Sequence, residues 1–209
     1  MYKLYWSRGT GVVAPQVMLE EIGADYEKVV IDIEKGDNQS PEFLAVNPLG
    51  QIPTMVLPDG TPMTESAAII LQLADAHPEA GLAPAPGSAE RARFYRWIAF
   101  LASNVYMADL RHYYPERHTT DPGGVEGVAK AAVVDLDRSF AILNEALDPG
   151  PYLLGERFSA ADLYLWMLVG WHPERERMLS ENAGVAQLVQ RVEQRPAVAR
   201  VRAEHDAPG

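Results

Sequence analysis

The first third of the chain switches between strand-like and helix-like spacing of its apolar residues. Short apolar or β-branched runs at residues 3–7, 26–33, 54–57 and 61–63 predict strands. Apolar residues recur every three or four positions over residues 13–23, and again from Glu65, which predicts two helices. Residues 41–46 predict one further helical turn. A short strand, helix, strand connection implies a right-handed parallel crossover, so the predicted order is βαβ-α-ββα.

Beyond this part the pattern changes. Residues 78–88, PEAGLAPAPGS, are rich in Pro, Gly and Ala and predict a linker. All later segments have helical spacing: residues 90–111, 125–147, 159–171, 182–194 and 197–203. Ser159 and Asp162 form a variant capping box, and Pro196 is expected to start the last helix. We predict a thioredoxin-like α/β domain over residues 1–80 and an all-α domain over residues 89–209.

Composition narrows the class of protein. The chain has 209 residues, 47% of them hydrophobic, which is enough for a sizeable core. No apolar run approaches the ~18 residues of a membrane-spanning helix, and no secretory signal is visible. Cysteine is absent, which excludes a cysteine nucleophile, a CxxC pair and a thiolate metal site. The absence fits a reducing compartment, and we expect a cytoplasmic protein.

Charge and histidine spacing argue against other functions. The net charge is −11 and the sequence pI is about 4.9, which disfavours nucleic acid or an anionic membrane as the main partner. The five histidines show no HExxH-type spacing, so we interpret them as structural or exposed and expect no metal.

One stretch, NPLGQIPTMVLPDGTPMTES, carries two features that suggest a ligand. A cis bond between Ile52 and Pro53 would leave the N–H and C=O of Ile52 unpaired. Glu65 and Ser66 stand at a predicted helix start, where N–H groups bind carboxylates and Glu65 could accept from an ammonium. The α-amino acid end of a ligand would suit both groups. The alternative is that Thr64 or Ser66 only caps the helix.

The motifs NPxGxIP and ESxAI resemble the glutathione-binding half of cytosolic glutathione transferases. The similarity extends along the chain through LYWS, LEEIG, SPEF and, in the second domain, FSAAD. The resemblance implies a transferase that conjugates glutathione, as its co-substrate, to small apolar electrophiles, a detoxification reaction. It also implies a homodimer.

The resemblance assigns to glutathione the residues Lys35, Gln51, Ile52, Pro53, Glu65 and Ser66. It implies that Ile52 pairs its backbone with the cysteinyl part and that Pro53 is cis. Glu65 and Ser66 take the γ-glutamyl end, and Gln51 lies beside them. Lys35 is a candidate for the glycyl carboxylate; the alternative is a solvated loop lysine.

Glutathione reacts through a thiol with a pKa near ~8.5, and the thiolate is the nucleophile. One hydroxyl at the start of the first helix is enough to stabilise it. Thr10 is the first candidate, Ser7 the second and Tyr5 the third. The chain resembles the bacterial beta-type subgroup but has Gly11 where that subgroup has its cysteine, so the cysteine mechanism does not carry over.

The second substrate is expected to lie against the first long helix of the second domain, where Tyr106, Met107, Tyr113 and Tyr114 are candidates to line its pocket. Two other functions stay open. One is glutathione-dependent reduction of disulfides or peroxides. The other is a non-catalytic binding module, which the poorly matched loop at Thr10 favours.

Overall fold

The computed structural model, which describes residues 1–207, has an α/β unit and a helical unit. The α/β unit is Met1–Leu82 together with the C-terminal segment that begins at Glu193. The helical unit is Ala83–Val192. The predicted fold class, a thioredoxin-like α/β part and an all-α part, is confirmed.

The α/β unit is built on a four-stranded sheet with strand order β2-β1-β3-β4. Its strands are β1 (Tyr2–Trp6), β2 (Tyr26–Val30), β3 (Thr54–Val56) and β4 (Pro62–Thr64). Strands β1 and β2 are parallel, whereas β3 is antiparallel to both β1 and β4. The predicted order of elements is therefore the observed one.

Three helices precede the linker in this unit: α1 (Val13–Ile22), the single turn α2 (Pro41–Leu44) and α3 (Ser66–Ala76). Helix α1 connects the two parallel strands and packs against α3. Leu4, Val17, Met55 and Ile70 from the strands and helices have no exposed surface, so the core lies between the sheet and these two helices.

The helical unit begins with three consecutive helical segments where one helix was predicted. They are α4 (Ala89–Phe100), a π-helical turn (Leu101–Tyr106) and α5 (Met107–Tyr113). The later helices are α6 (Val125–Ala146), α7 (Ala160–Val169), α8 (Arg175–Glu181) and α9 (Ala183–Glu193). Helix α8 was not predicted.

Every residue of α7 is buried, and its start is fixed by the predicted pair. Asp162 accepts hydrogen bonds from the Ser159 N–H at 2.8 Å and from the Ser159 hydroxyl at 3.0 Å. The same carboxylate accepts from the Leu153 N–H at 2.8 Å, which ties the preceding loop to the helix.

The last helix, α10 (Pro196–Asp206), starts at Pro196 as predicted and packs against α1 in the α/β unit. Within residues 1–207 no helix combines the length and the apolar character needed to cross a bilayer.

Candidate active site

One row of paired residues runs across the sheet. Tyr5 of β1 is paired with Thr54 of β3, and Thr54 is paired with Thr64 of β4. Neighbouring strands lie about 4.8 Å apart, so three backbone segments meet at one end of the sheet. They are the segment after β1, the entrance of β3 and the start of α3. The register thus brings together Ser7, Ile52–Pro53 and Glu65–Ser66, which the sequence analysis could assign only separately.

The entrance of β3 has the expected backbone. The Ile52–Pro53 peptide bond is cis, as predicted. Within residues 1–207 neither the N–H nor the C=O of Ile52 has a hydrogen-bond partner. Gln51 beside it is exposed. A short length of extended backbone is therefore open to pair with a peptide-like ligand.

Sequence reasoning missed the side chains that hold this backbone in place. Asn47 is 1% exposed, and its Nδ2 donates to the Gln51 carbonyl and to Thr54 Oγ1, both at 2.9 Å. Thr54 Oγ1 donates to the same Gln51 carbonyl at 2.9 Å. Asn47 Oδ1 accepts from the Leu49 N–H at 3.0 Å. These bonds satisfy the residues around Ile52 and leave Ile52 itself open.

The start of α3 presents a helix N-terminus that the side chain of its N-cap residue does not cap. Glu65 is the N-cap residue, and its carbonyl accepts from the Ile69 N–H at 2.9 Å. Its backbone has φ 64°, the one positive φ of a non-glycine residue in the described chain. Such a conformation is costly and is found most often at binding sites. In the part of the chain that the structure describes, the side chain of the N-cap residue Glu65 makes no capping hydrogen bond.

Glu65 and Ser66 differ in exposure. Glu65 is exposed, while Ser66 is buried at the first position of the helix. The arrangement sets an exposed carboxylate beside a group of backbone N–H donors that carry the positive end of the helix dipole. It can bind an ammonium and a carboxylate side by side.

Lys35 lies in the loop that follows β2, the strand on the opposite side of β1 from β3. Its Nζ is paired with Asp32 Oδ2 at 2.6 Å, and this hydrogen bond raises the pKa of the ammonium. The side chain is exposed, so a ligand carboxylate would compete with Asp32 for it.

The three candidate hydroxyls differ in whether they already donate a hydrogen bond within the protein. Thr10 Oγ1 donates to the Ser7 carbonyl at 2.8 Å and accepts from the Val12 N–H at 3.5 Å. The Tyr5 ring packs edge-on against Phe43, with 5.3 Å between ring centroids. Among the described residues the hydroxyls of Ser7 and Tyr5 have no hydrogen-bond partner. All three residues are half-buried.

In the helical unit, the candidate aromatic stripe is on the surface and not in the core. Met107 is 38% exposed, Tyr113 51% and Tyr114 41%. The Tyr106 ring packs edge-on against Trp171 at 5.3 Å, and the Tyr113 hydroxyl donates to the Trp171 carbonyl at 2.6 Å. These side chains form an apolar and aromatic surface at the two ends of α5, exposed at Met107, Tyr113 and Tyr114.

Asp109, on the same helix, is a buried acid that sequence reasoning missed. It is 2% exposed, and neither carboxylate oxygen has a hydrogen-bond partner among the described residues. Burial raises the pKa of Asp109 to about 8, so its carboxyl group is mostly protonated at neutral pH. The pKa of Tyr113 is also raised, mainly by burial and to a smaller extent by the negative charge of Asp109.

Comparison with known proteins gives a consistent result. Residues 15–76 match the N-terminal domain and residues 126–181 the C-terminal domain of glutathione S-transferase. The uncharacterized GST-like protein YncG of Escherichia coli (strain K12) is 33% identical over 203 residues, covering 96% of this chain and 97% of that protein. The disulfide-bond oxidoreductase YfcG of the same strain is 29% identical over 189 residues, covering 87% and 85%.

A solved structure supports the same relationship. The crystal structure of a glutathione transferase homolog from Sulfitobacter, with bound glutathione, matches with a TM-score of 0.89 and 27% sequence identity. The match covers 98% of both chains. The similarity therefore extends over the α/β unit and the helical unit alike.

Proposed function

The chain belongs to the glutathione S-transferase family, and from that premise we propose that it binds glutathione, ionises its thiol and transfers it to small apolar electrophiles. The observation that carries the proposal is the row across the sheet. It gathers an open backbone segment at Ile52 and the N-terminus of α3 at Ser66, where the N-cap residue Glu65 makes no side-chain capping bond. Those two features fit the two ends of a γ-glutamyl-cysteinyl peptide.

Each part of the tripeptide has a partner of suitable chemistry. The N–H and C=O of Ile52 can pair with the cysteinyl backbone as an added strand would. Glu65 can accept from the γ-glutamyl ammonium, and the N–H groups at Ser66 can donate to its carboxylate. Gln51 lies beside this end, and Lys35 can exchange Asp32 for the glycyl carboxylate.

Thiol activation needs only modest energy. Lowering the thiol pKa by ~2 units takes about 2.7 kcal/mol. A hydrogen bond to a charged acceptor supplies about 1.5–3 kcal/mol, and a helix N-terminus adds up to ~1 kcal/mol. Thr10 stands just before α1 and must turn its proton from the Ser7 carbonyl to the sulfur, whereas Ser7 and Tyr5 have protons to give.

Binding is tested by calorimetry with glutathione and with S-methylglutathione, which lacks the thiol. Glu65→Gln is expected to weaken both about tenfold, which is about 1.4 kcal/mol. Asp25→Asn, at an exposed acid of the same unit just before β2, is the matched control and should change neither. A wild-type protein with no measurable affinity for either ligand would rule the proposal out.

The activating hydroxyl is identified by Thr10→Ala, Ser7→Ala and Tyr5→Phe, each compared with the wild type. One readout is the thiol pKa of bound glutathione, which is measured through the absorbance of the thiolate. The other is the rate of conjugation with an aryl halide. The variant that raises the thiol pKa marks the donor. If none does, the backbone N–H groups at the start of α1 are the remaining donors.

Reduction of disulfides by glutathione is a second candidate function, which the similarity to YfcG favours. The chain has no cysteine, so two molecules of glutathione would supply both electrons and leave as glutathione disulfide while the substrate becomes two thiols. Turnover on a small disulfide compared with turnover on an aryl halide separates the two reactions. Bound glutathione with an unshifted thiol pKa would instead favour a non-catalytic module.

We further propose that the aromatic surface around α5, with Tyr106, Met107, Tyr113 and Tyr114, lines the electrophile site. We also keep the domain limits proposed from the sequence, residues 1–80 and 89–209. The last helix, α10, packs against α1 of the first of these two domains.

A cytoplasmic homodimer with a detoxifying role is proposed on family resemblance. Light scattering of the purified chain tests the oligomeric state.

A further inference from the structure

The C-terminal helix lies against the part of the α/β unit that carries the candidate hydroxyls. Ala197, Val198 and Val201 of α10 are buried, and the helix packs against α1. Two ion pairs join the same helices: Arg195 with Glu21 at 2.6 Å, and Arg200 with Glu20 at 2.8 Å. The end of the chain is thus held next to the segment that follows β1.

Between these helices lies a hydrogen-bonded network of buried and half-buried side chains. Gln16, 1% exposed, accepts at Oε1 from the Trp6 indole N–H at 2.7 Å and from His205 Nε2 at 2.9 Å. Its Nε2 donates to Glu204 Oε2 at 2.6 Å and to the Tyr26 hydroxyl at 3.4 Å. Both atoms of the Gln16 amide are therefore satisfied, which fixes its orientation.

This network also assigns the proton on His205. The Gly9 N–H donates to His205 Nδ1 at 3.0 Å, so Nδ1 carries no proton. The proton of the neutral ring is then on Nε2, where it is donated to Gln16. The Trp6 indole N–H also lies 3.2 Å from Nε2, but its bond to Gln16 Oε1 is the shorter one at 2.7 Å. Burial, with the charges of Lys28 and Arg8, lowers the pKa of His205 to about 4, which agrees with a neutral ring.

The bonds from α10 reach the loop that carries Ser7 and Thr10. Besides Gly9, Arg8 is tied to the end of the helix, because its guanidinium donates to the carbonyl of Ala207, the residue that follows α10. Gly9 adopts φ +65°, and the loop then turns so that Thr10 Oγ1 donates back to the Ser7 carbonyl at 2.8 Å. The conformation of this loop is thus set from outside the loop, by a residue 196 positions away.

We propose that His205 is a positioning residue, which holds the Ser7–Gly11 loop in the conformation that activates the glutathione thiol. Its Nδ1 accepts the Gly9 N–H, while its Nε2–H anchors the ring to Gln16. The inference rests on the proposed function, because the loop matters only where a thiol is ionised. It applies whichever of Ser7 and Thr10 is the donor.

Two substitutions separate the two nitrogens of the ring. In His205→Asn, Oδ1 stands where Nδ1 stood and can still accept from Gly9. In His205→Gln, the longer amide reaches Gln16 but leaves the Gly9 N–H without an acceptor. His118→Gln, on an exposed histidine of the helical unit, is the matched control.

The first readout is hydrogen exchange of the peptide that covers residues 7–12, without glutathione. The second is the pKa of glutathione bound to each full-length variant. His205→Gln is expected to speed exchange about tenfold and to raise the thiol pKa by about one unit. His205→Asn and His118→Gln should match the wild type. The affinity for S-methylglutathione should stay within about twofold throughout, since the residues that bind it are untouched.

Two results would overturn the inference. One is unchanged exchange and thiol pKa in His205→Gln. The other is equal damage in His205→Asn and His205→Gln, which would assign His205 a packing role only. Failure of the proposed function is distinguishable from both, because it shows as an unshifted thiol pKa in the wild type before any substitution.

Discussion

At the scale of single residues, the candidate site depends on side chains that touch no substrate. Asn47 and Thr54 bind the Gln51 carbonyl from two sides, and so replace the strand partner that this segment lacks. A buried amide left unpaired costs about 1–3 kcal/mol, so the arrangement is stable only when every member is present. The open backbone of Ile52 is a consequence of that local network.

Gly50, in the same turn, gives the residue-scale prediction. It has φ +63°, and a Cβ there would lie 2.5 Å from Gln39 Nε2 and 2.9 Å from the Asn38 carbonyl oxygen. Gly23 has φ +66° with nothing within 4 Å, so Gly23→Ala measures the cost of the left-handed conformation alone. That cost is about 1–2 kcal/mol.

Gly50→Ala should lower the free energy of unfolding by at least ~1 kcal/mol more than Gly23→Ala, because a backbone oxygen must also move. Denaturant titration of both variants measures this difference. Gly50→Ala should also weaken binding of S-methylglutathione, which Gly23→Ala should not. Equal effects of the two substitutions on stability would show that the turn has room for a side chain.

At the scale of elements, local patterns predicted most of the fold. The turn before Ile52, the start of α7 at Ser159 and the start of α10 at Pro196 are each specified within a few residues, and all were placed correctly. The π-helical turn was missed because the apolar spacing of residues 90–111 fits one continuous helix. The buried residues Leu101, Val105 and Ala108 keep a helix-like spacing through the π turn, and such turns are often found near functional sites.

Asp109, just beyond the π turn, gives the element-scale prediction. Its pKa is about 8 in the fold against an ordinary 3.8. Because the folded pKa is the higher one, its stabilising contribution is fully present below pH ~4 and is lost as the pH rises through ~8. Each unit of difference is worth about 1.4 kcal/mol, so the loss amounts to several kcal/mol.

Asp109→Asn should therefore be more stable than the wild type at pH 8 and nearly equal to it at pH 4. The difference in free energy of unfolding between the variant and the wild type at each pH cancels the contributions of groups that both proteins share. One such group is Asp162, because burial raises its pKa to about 6. Asp135→Asn, an exposed acid paired with Arg111, is the control. A difference between Asp109→Asn and the wild type that does not vary with pH would contradict the buried, unpartnered carboxyl.

At the scale of the whole molecule, the two ends of the chain belong to one compact unit. The sequence could not predict this, because α10 has the spacing of an ordinary amphipathic helix and nothing local names its partner. The decisive contacts join residues far apart along the chain, such as Gly9 with His205 and Glu21 with Arg195. The local sequence pattern therefore predicted where α10 lies in the chain. It could not predict which helix α10 packs against.

Removing residues 194–209 is expected to destabilise the α/β unit and to spare the helical unit. The deletion uncovers the face of α1 that packs on Val198 and Val201, and each buried valine contributes roughly 1.5–3 kcal/mol. Peptides from β1 and α1 should then exchange hydrogen faster, while peptides from α6 and α7 keep the wild-type rate. Arg202→Ala, at an exposed position on the same helix, should change neither set. A uniform loss of protection in both units would mean that α10 stabilises the chain as a whole, and that the loop at Thr10 has no special dependence on it.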